Sequence, residues 1–183
     1  MLATPSFGNV KVISNTGIVG AASPGTSLPV NATTLLYGAV TEVISAANNV
    51  QDSWGIEIVM LETAASAATS ECTVDILIGG ATDDVLISSL IFGGAYAGAA
   101  RSYFFPVSVP GGVRVAARIA HVSTTRTPRI LIFLYGGGTP PFRIGGQVTT
   151  YGTKINNARG QSVTPTASGG AASVTQMTAS SAE

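Results

Sequence analysis

The chain has 183 residues, of which 10% are charged, with nine cations balancing nine carboxylates and one histidine and one cysteine besides. Its mean hydropathy is +0.41, yet no apolar run is long enough to cross a bilayer as a helix. A lone cysteine excludes an internal disulfide and a thiolate zinc centre, and a neutral balance without basic clusters among aromatics argues against nucleic acid as a partner.

Residues 1–33 are poor in large apolar groups and rich in Gly, Ser, Thr, Pro and Asn. Such a stretch buries too little surface to offset its own ordering entropy, so it is read as an extended N-terminal arm. No basic region followed by an apolar stretch opens it, so no secretory signal is read. The glycosylation triplet Asn31-Ala32-Thr33 is then a coincidence of composition.

Residues 34–138 read as one all-β domain. Strands are predicted over residues 39–45, 54–62, 71–78, 84–92, 101–107, 113–120 and 129–135, because apolar side chains recur there at every second position or in β-prone runs. Trp54, Ile56, Ile58 and Met60 are placed on one face, with Glu57 on the other. Cys72, Val74, Ile76 and Ile78 alternate with Glu71, Thr73 and Asp75, which makes Cys72 a small core hydrophobe rather than a reactive thiol. Val113, Val115, Ala117 and Ile119 alternate with Arg114, Ala116, Arg118 and Ala120. Turn residues separate the runs at 46–49, 79–84, 93–94, 110–112, 127–128 and 136–138. Residues 62–70 are Ala, Ser and Thr after Glu62, with no apolar stripe, so no crossover helix of an α/β sheet fits there. Seven or eight short strands between turns predict an antiparallel β-sandwich or jelly roll.

Residues 139–183 return to the composition of the arm and are read as an extended C-terminal segment. They echo the first part of the chain: residues 160–167 resemble residues 25–32, and residues 173–179 resemble residues 39–45. That pattern marks the C-terminal segment as a candidate start of a second, truncated repeat, which a neighbouring subunit would complete by strand addition.

Charge is divided along the chain. Residues 1–92 carry Lys11 against eight carboxylates, and residues 93–183 carry eight cations against Glu183. Acidic strands that pair with basic strands inside one sheet satisfy this division; acidic and basic surfaces that meet between subunits satisfy it too. A soluble chain usually carries about a quarter charged residues, so charge this sparse predicts a surface that faces other protein.

Chemistry-bearing constellations are scarce. His121 stands at a strand end with no nucleophile elbow to serve, and a structural role is the usual one. Asp83-Asp84 lacks the spaced oxygen ligands of a calcium loop. Glu57 with Glu62 or Asp75 has the residue types for glycoside cleavage, but the required separation is spatial. The loop after residue 135, Gly136-Gly137-Gly138-Thr139-Pro140, lacks the lysine of a phosphate loop. No catalytic residue, cofactor or metal is predicted. The aromatics Trp54, Tyr96, Tyr103, Phe104, Phe105, Tyr135 and Tyr151 are candidates for a sugar-stacking platform, with a host surface glycan as the alternative partner, but the periodicity around Trp54 favours core.

Residues 104–118 hold an aromatic-Pro strand, which a tight turn at Pro110-Gly111-Gly112 is expected to join to an antiparallel strand with Arg114 and Arg118 on its outer face. This resembles a pattern in virion structural proteins of tailed bacteriophages, and the likeness extends over roughly residues 37–135. The resemblance implies a jelly-roll tail, fibre or head-decoration protein located in the virion. It implies a homo-oligomer, a trimer foremost, that docks on other virion proteins and transfers no catalytic residue. Outward aromatics and interface-prone arginines then single out Arg101, Tyr103, Phe105, Arg114, Arg118 and Arg143 as the candidate interface, with neither membrane nor nucleic acid as partner.

Overall fold

The computed structural model describes residues 11–15, 25–61, 71–80, 83–92, 101–126, 128–137, 144–149, 153–154 and 159–160. The elements in chain order are β1 (Lys11–Asn15), β2 (Thr26–Ser27), β3 (Thr41–Ile44), β4 (Ser53–Leu61), β5 (Cys72–Gly79), β6 (Asp83–Phe92), β7 (Arg101–Phe105), β8 (Arg114–His121), β9 (Arg129–Gly136), β10 (Val148–Thr149), β11 (Thr153–Lys154) and β12 (Arg159–Gly160). There is no helix among the described residues. The seven strands predicted over residues 39–135 are β3 to β9.

Two sheets form the sandwich. The first runs β1-β9-β4-β7, with β2 also on β9; the second runs β10-β6-β5-β8-β3. Both β1 and β2 lie antiparallel to β9, on its side away from β4: β1 along residues 133–136 and β2 along residues 129–130. Counting those two as one edge, eight strands form two four-stranded sheets, β1/β2-β9-β4-β7 and β6-β5-β8-β3, in the order of two Greek keys, which is a jelly roll. Every pairing in the two sheets is antiparallel except β10 on β6. β11 and β12 form a separate two-stranded ladder. Thus β1, β2 and β10 fall in the segments read as arm and tail, and both flanks contribute edge strands.

The core lies between the sheets. Ile56, Ile58 and Met60 of β4 and Ile130, Ile132 and Leu134 of β9 meet Val74 and Ile76 of β5 and Val115, Ala117 and Ile119 of β8. Most are wholly enclosed, and each buried Ile or Leu stabilises the fold by about 1.5–3 kcal/mol. Leu28, just after β2, belongs to this core, and so does Cys72.

Two local expectations are corrected. Trp54 does not share the face of Ile56. The register of β4 on β9 shifts between Ser53 and Gly55, and a bulge of one extra residue re-aims the side chain it carries. Trp54 is buried but stands outside the core cluster. The second correction concerns Pro110-Gly111-Gly112, which does not join two paired strands. β7 lies in the first sheet and β8 in the second, so this turn crosses between layers. Its shape is held by the loop after β3. Asn49 Nδ2 donates to the carbonyls of Pro110 (2.7 Å) and Val113 (2.9 Å), and Asp52 Oδ1 accepts from Gly111 N at 2.8 Å. Gly112 has φ +76, and a Cβ on Gly111 would sit 2.9 Å from the Gln51 backbone. Glycine is needed at both positions.

Candidate assembly surface

An antiparallel sandwich usually turns polar side chains outward from each sheet. In this molecule one outer face follows that rule and the other departs from it.

On the outside of the first sheet, Gly55, Glu57, Val59 and Leu61 of β4 stand opposite Tyr135, Phe133, Leu131 and Arg129 of β9. Phe104 and Ser102 of β7 extend the same rows beside Glu57 and Val59. The bulge adds Trp54. Its ring centroid is 6.4 Å from that of Tyr135, and its Nε1 donates to Gly137 O at 3.0 Å. Phe104 meets Tyr135 edge-on, with centroids 5.7 Å apart and planes at 73°. Gly55 makes this possible, because a Cβ there would lie 2.7 Å from Phe104 Cζ. Among these side chains a single carboxylate appears, and it is engaged: the Tyr135 hydroxyl donates to Glu57 Oε2 at 2.5 Å. Burial, reinforced by that neighbouring carboxylate, pushes the Tyr135 phenol up to about 12. Phe104 is 44% exposed. This face is apolar and aromatic.

The outside of the second sheet is ionic. Asp75 of β5, only 3% exposed, accepts from the Tyr37 hydroxyl (2.8 Å) and Ser89 N (2.7 Å) on Oδ1. Its Oδ2 accepts from Arg118 Nε at 2.8 Å and Nη2 at 2.7 Å. The Arg118 guanidinium lies over the Tyr37 ring, 4.5 Å from the centroid. Four donors on one carboxylate satisfy a charge that would otherwise be costly to bury. They explain why Ser89 sits in a left-handed conformation, φ +53, since that turn delivers its N–H to Asp75. Burial, reinforced by Asp75, raises the Tyr37 phenol above its usual range. A second pair, Arg114 with Asp83, is bidentate, with Nε donating to Oδ1 at 3.1 Å and Nη2 to Oδ2 at 2.6 Å. Both pairs join the acidic and basic halves of the chain across β5, β6 and β8, as expected of acidic strands that pair with basic strands inside one sheet.

The six interface candidates fall in different places. Arg101 is exposed at the start of β7. Tyr103 and Phe105 turn inward against the core, where Tyr103 meets Phe92 edge-on at 5.0 Å; the ring that faces outward is Phe104 instead. Arg114 and Arg118 are engaged in the ion pairs above. Arg143 lies outside the described residues, as do Tyr96, Tyr151, Glu62 and the echo beyond residue 160. The outward role of Phe104 was readable only once the register of β7 on β4 was known.

The remaining constellations do not converge. Glu57 and Asp75 belong to opposite outer faces of the sandwich, so they cannot flank one bond. His121 is buried at the end of β8, where Nδ1 accepts from Ser123 N at 2.8 Å. Asp83 is committed to Arg114, and no group of three or more His, Cys, Asp or Glu side chains gathers among the described residues.

No family model and no curated protein matches the chain. One solved structure, that of infectious bursal disease virus strain Gx, is similar in backbone over 72% of this chain and 32% of its own, with 12% identity and a TM-score of 0.32.

Proposed function

We propose that this protein is a structural subunit of a virion, of the tail, fibre or head-decoration kind, that assembles through the outer face of its first sheet. The observation that carries the assembly reading is the contrast between the two faces. The ionic face is closed by its own residues, whereas the other presents Phe104, Phe133, Tyr135, Val59 and Leu61 around one internally bonded carboxylate, with Arg129 opposite Leu61. Apolar, aromatic faces with a depleted charge are what protein interfaces bury at their centres. Of the large exposed apolar side chains, Phe104 (44%) is the one that stands on this face.

The virion assignment rests on the sequence pattern of residues 104–118 and on the jelly roll, an architecture that virion proteins share with lectin domains and cupins. Fold alone does not choose among these. Low charge and a self-satisfied ionic face favour a subunit packed among others. The arginines at 114 and 118 act within the chain, so shape and apolar burial rather than a charge dipole direct the contact. Light scattering over a concentration series tests this. The native chain assembles, and Phe104→Glu, which places a charge on that face, weakens the association through it. A native chain that stays monomeric at every concentration and salt overturns the proposal.

A further inference from the structure

Residues 144–149 cross the open side of the sandwich between the β7 and β6 edges. Gly145 N donates to Pro106 O at 2.8 Å and Ser108 N donates to Gly145 O at 3.1 Å, so this strap first extends the end of β7. It then reaches the second sheet, where Gln147 Nε2 donates to Val85 O at 2.8 Å. Val148 and Thr149 pair with Ile87 and Ser88 in the one parallel ladder of the two sheets. Val148 packs partly against the core, while residues 144–147 are all exposed.

Three features set the strap apart from every other strand beside β6. Its ladder is two residues long and parallel, a pairing slightly weaker per residue than antiparallel. An open cleft of ≈ 370 Å³, lined by Gly146, Gln147, Ile78, Asp84, Val85 and Leu86, lies beside it, and walls that lack neighbours lose their dispersion contacts. The sequence that leads into it begins with Gly137 at φ +75 and carries Pro140-Pro141, a pair that favours extended chain over a tight return. Detaching the strap therefore gives up little, yet the β6 edge it covers is a ready template for another strand. An identical segment from another molecule makes the same bonds.

We propose that residues 144–149 form an exchangeable strand that pairs with β6 of a second copy of this chain. The link uses a different surface from the Phe104 face and stands apart from it.

Register supplies the test, because positions 88 and 149 are partners and neighbouring strands are close enough for a disulfide. Ser88→Cys and Thr149→Cys variants of the full chain are mixed under mild oxidation and trapped with a thiol-blocking reagent. Cys72, 2% exposed in the core, stays out of the reaction. Exchange gives a mixed disulfide dimer that neither variant forms alone. If the doubly substituted chain closes only within itself and the mixture gives no mixed dimer, the strap is intramolecular and the proposal fails. As a second variant, Val148→Pro removes a strand donor and lowers the strap-linked dimer by about tenfold, with Trp54 emission still that of the folded chain; an undiminished dimer also overturns the proposal. Phe104→Glu leaves the mixed disulfide intact, so a failure of the face and a failure of the strap are read separately.

Discussion

The outer faces of the two sheets are built from the same kind of strand and end in opposite chemistry. On the second sheet, Asp75, Arg118, Tyr37 and the Ser89 amide satisfy one another, and Arg114 takes Asp83. On the first, the polar groups are fewer and the rings of Trp54, Phe104 and Tyr135 stand against each other. Closed polar networks have little left to offer a partner, because breaking them leaves a charge without its donors. An apolar face has the reverse economy, since covering it releases water at no polar penalty. The difference teaches that recognition should be sought where the charges are not.

The sharpest way to break that comparison is Asp75→Asn. The amide keeps an oxygen for Tyr37 and Ser89 but turns its own donors toward Arg118. Losing one member of a buried pair destabilises by about 3–5 kcal/mol. Because Arg118 remains 34% exposed, water recovers part of this, and roughly 2–3 kcal/mol is expected. A chain of this length then melts about 5–10 °C lower, measured by thermal unfolding, with the assembly state of the surviving folded chain unchanged. A variant that melts normally but no longer assembles would place the docking surface on the ionic face.

The mirror experiment is Phe104→Ser. The ring is 44% exposed in the single chain, so folding stability falls by no more than about 1 kcal/mol. Association is expected to weaken by about 2 kcal/mol, roughly thirty-fold in Kd, as for an aromatic anchor. Sedimentation equilibrium beside a denaturant melt separates the two effects. Equal losses in both would mean that Phe104 serves the fold rather than a partner.

How much of this contrast was legible beforehand follows from what kind of contact makes each part. The seven strands of the sandwich announced themselves because burial on one side imposes period two on Ile56, Ile58 and Met60, or on Val74 and Ile76, within the strand itself. Division of charge along the chain left open whether acids and bases meet within one sheet or between subunits, and Arg118 on Asp75, outward residues of neighbouring strands, satisfies the first. The aromatic face was hidden by one residue. A bulge at Ser53–Gly55 moves Trp54 off the face its spacing assigns, and nothing in a local pattern reports an insertion decided by the pairing of β4 with β9. Tyr103, Phe104 and Phe105 posed the same problem, because three adjacent rings fit either alternation until β4 sets the register. At Pro110-Gly111-Gly112 the residues of a tight turn are present, but whether it joins paired strands or crosses between layers depends on Asn49 and Asp52, about sixty residues away. β1, β2 and β10 were missed because runs of two to five residues are too short for a periodic pattern to stand out from the polar, small-residue sequence around them.

Two smaller effects sharpen the comparison through pH and salt. Tyr135 keeps its proton on the folded chain up to about 12, whereas an unfolded tyrosine loses it near pH 10. A folded pKa raised above the unfolded one gives stability that is complete below pH 10 and is lost as pH climbs from 10 toward 12. Tyr37, also raised, adds to the slope with the same sign. Tyr135→Phe removes the Glu57 bond, costing about 1 kcal/mol at neutral pH, and flattens part of the alkaline decline in denaturant midpoints. An unchanged decline would assign the whole of it to Tyr37 on the other face.

Asp83→Asn is the mildest change. The Arg114 pair is partly exposed, with side chains 27% and 16% accessible, and pairs of that kind contribute about 0.2–1 kcal/mol, less as salt rises. Its melting point should fall by no more than about 2–3 °C in dilute buffer and converge on the native value at molar salt. Convergence would show that the rim of the ionic face is ordinary solvated surface and that its buried centre, Asp75, accounts for the closure. A loss that persists at high salt would mean that Asp83 and Asp75 act as one network, with the β5–β6–β8 face rigid from centre to rim.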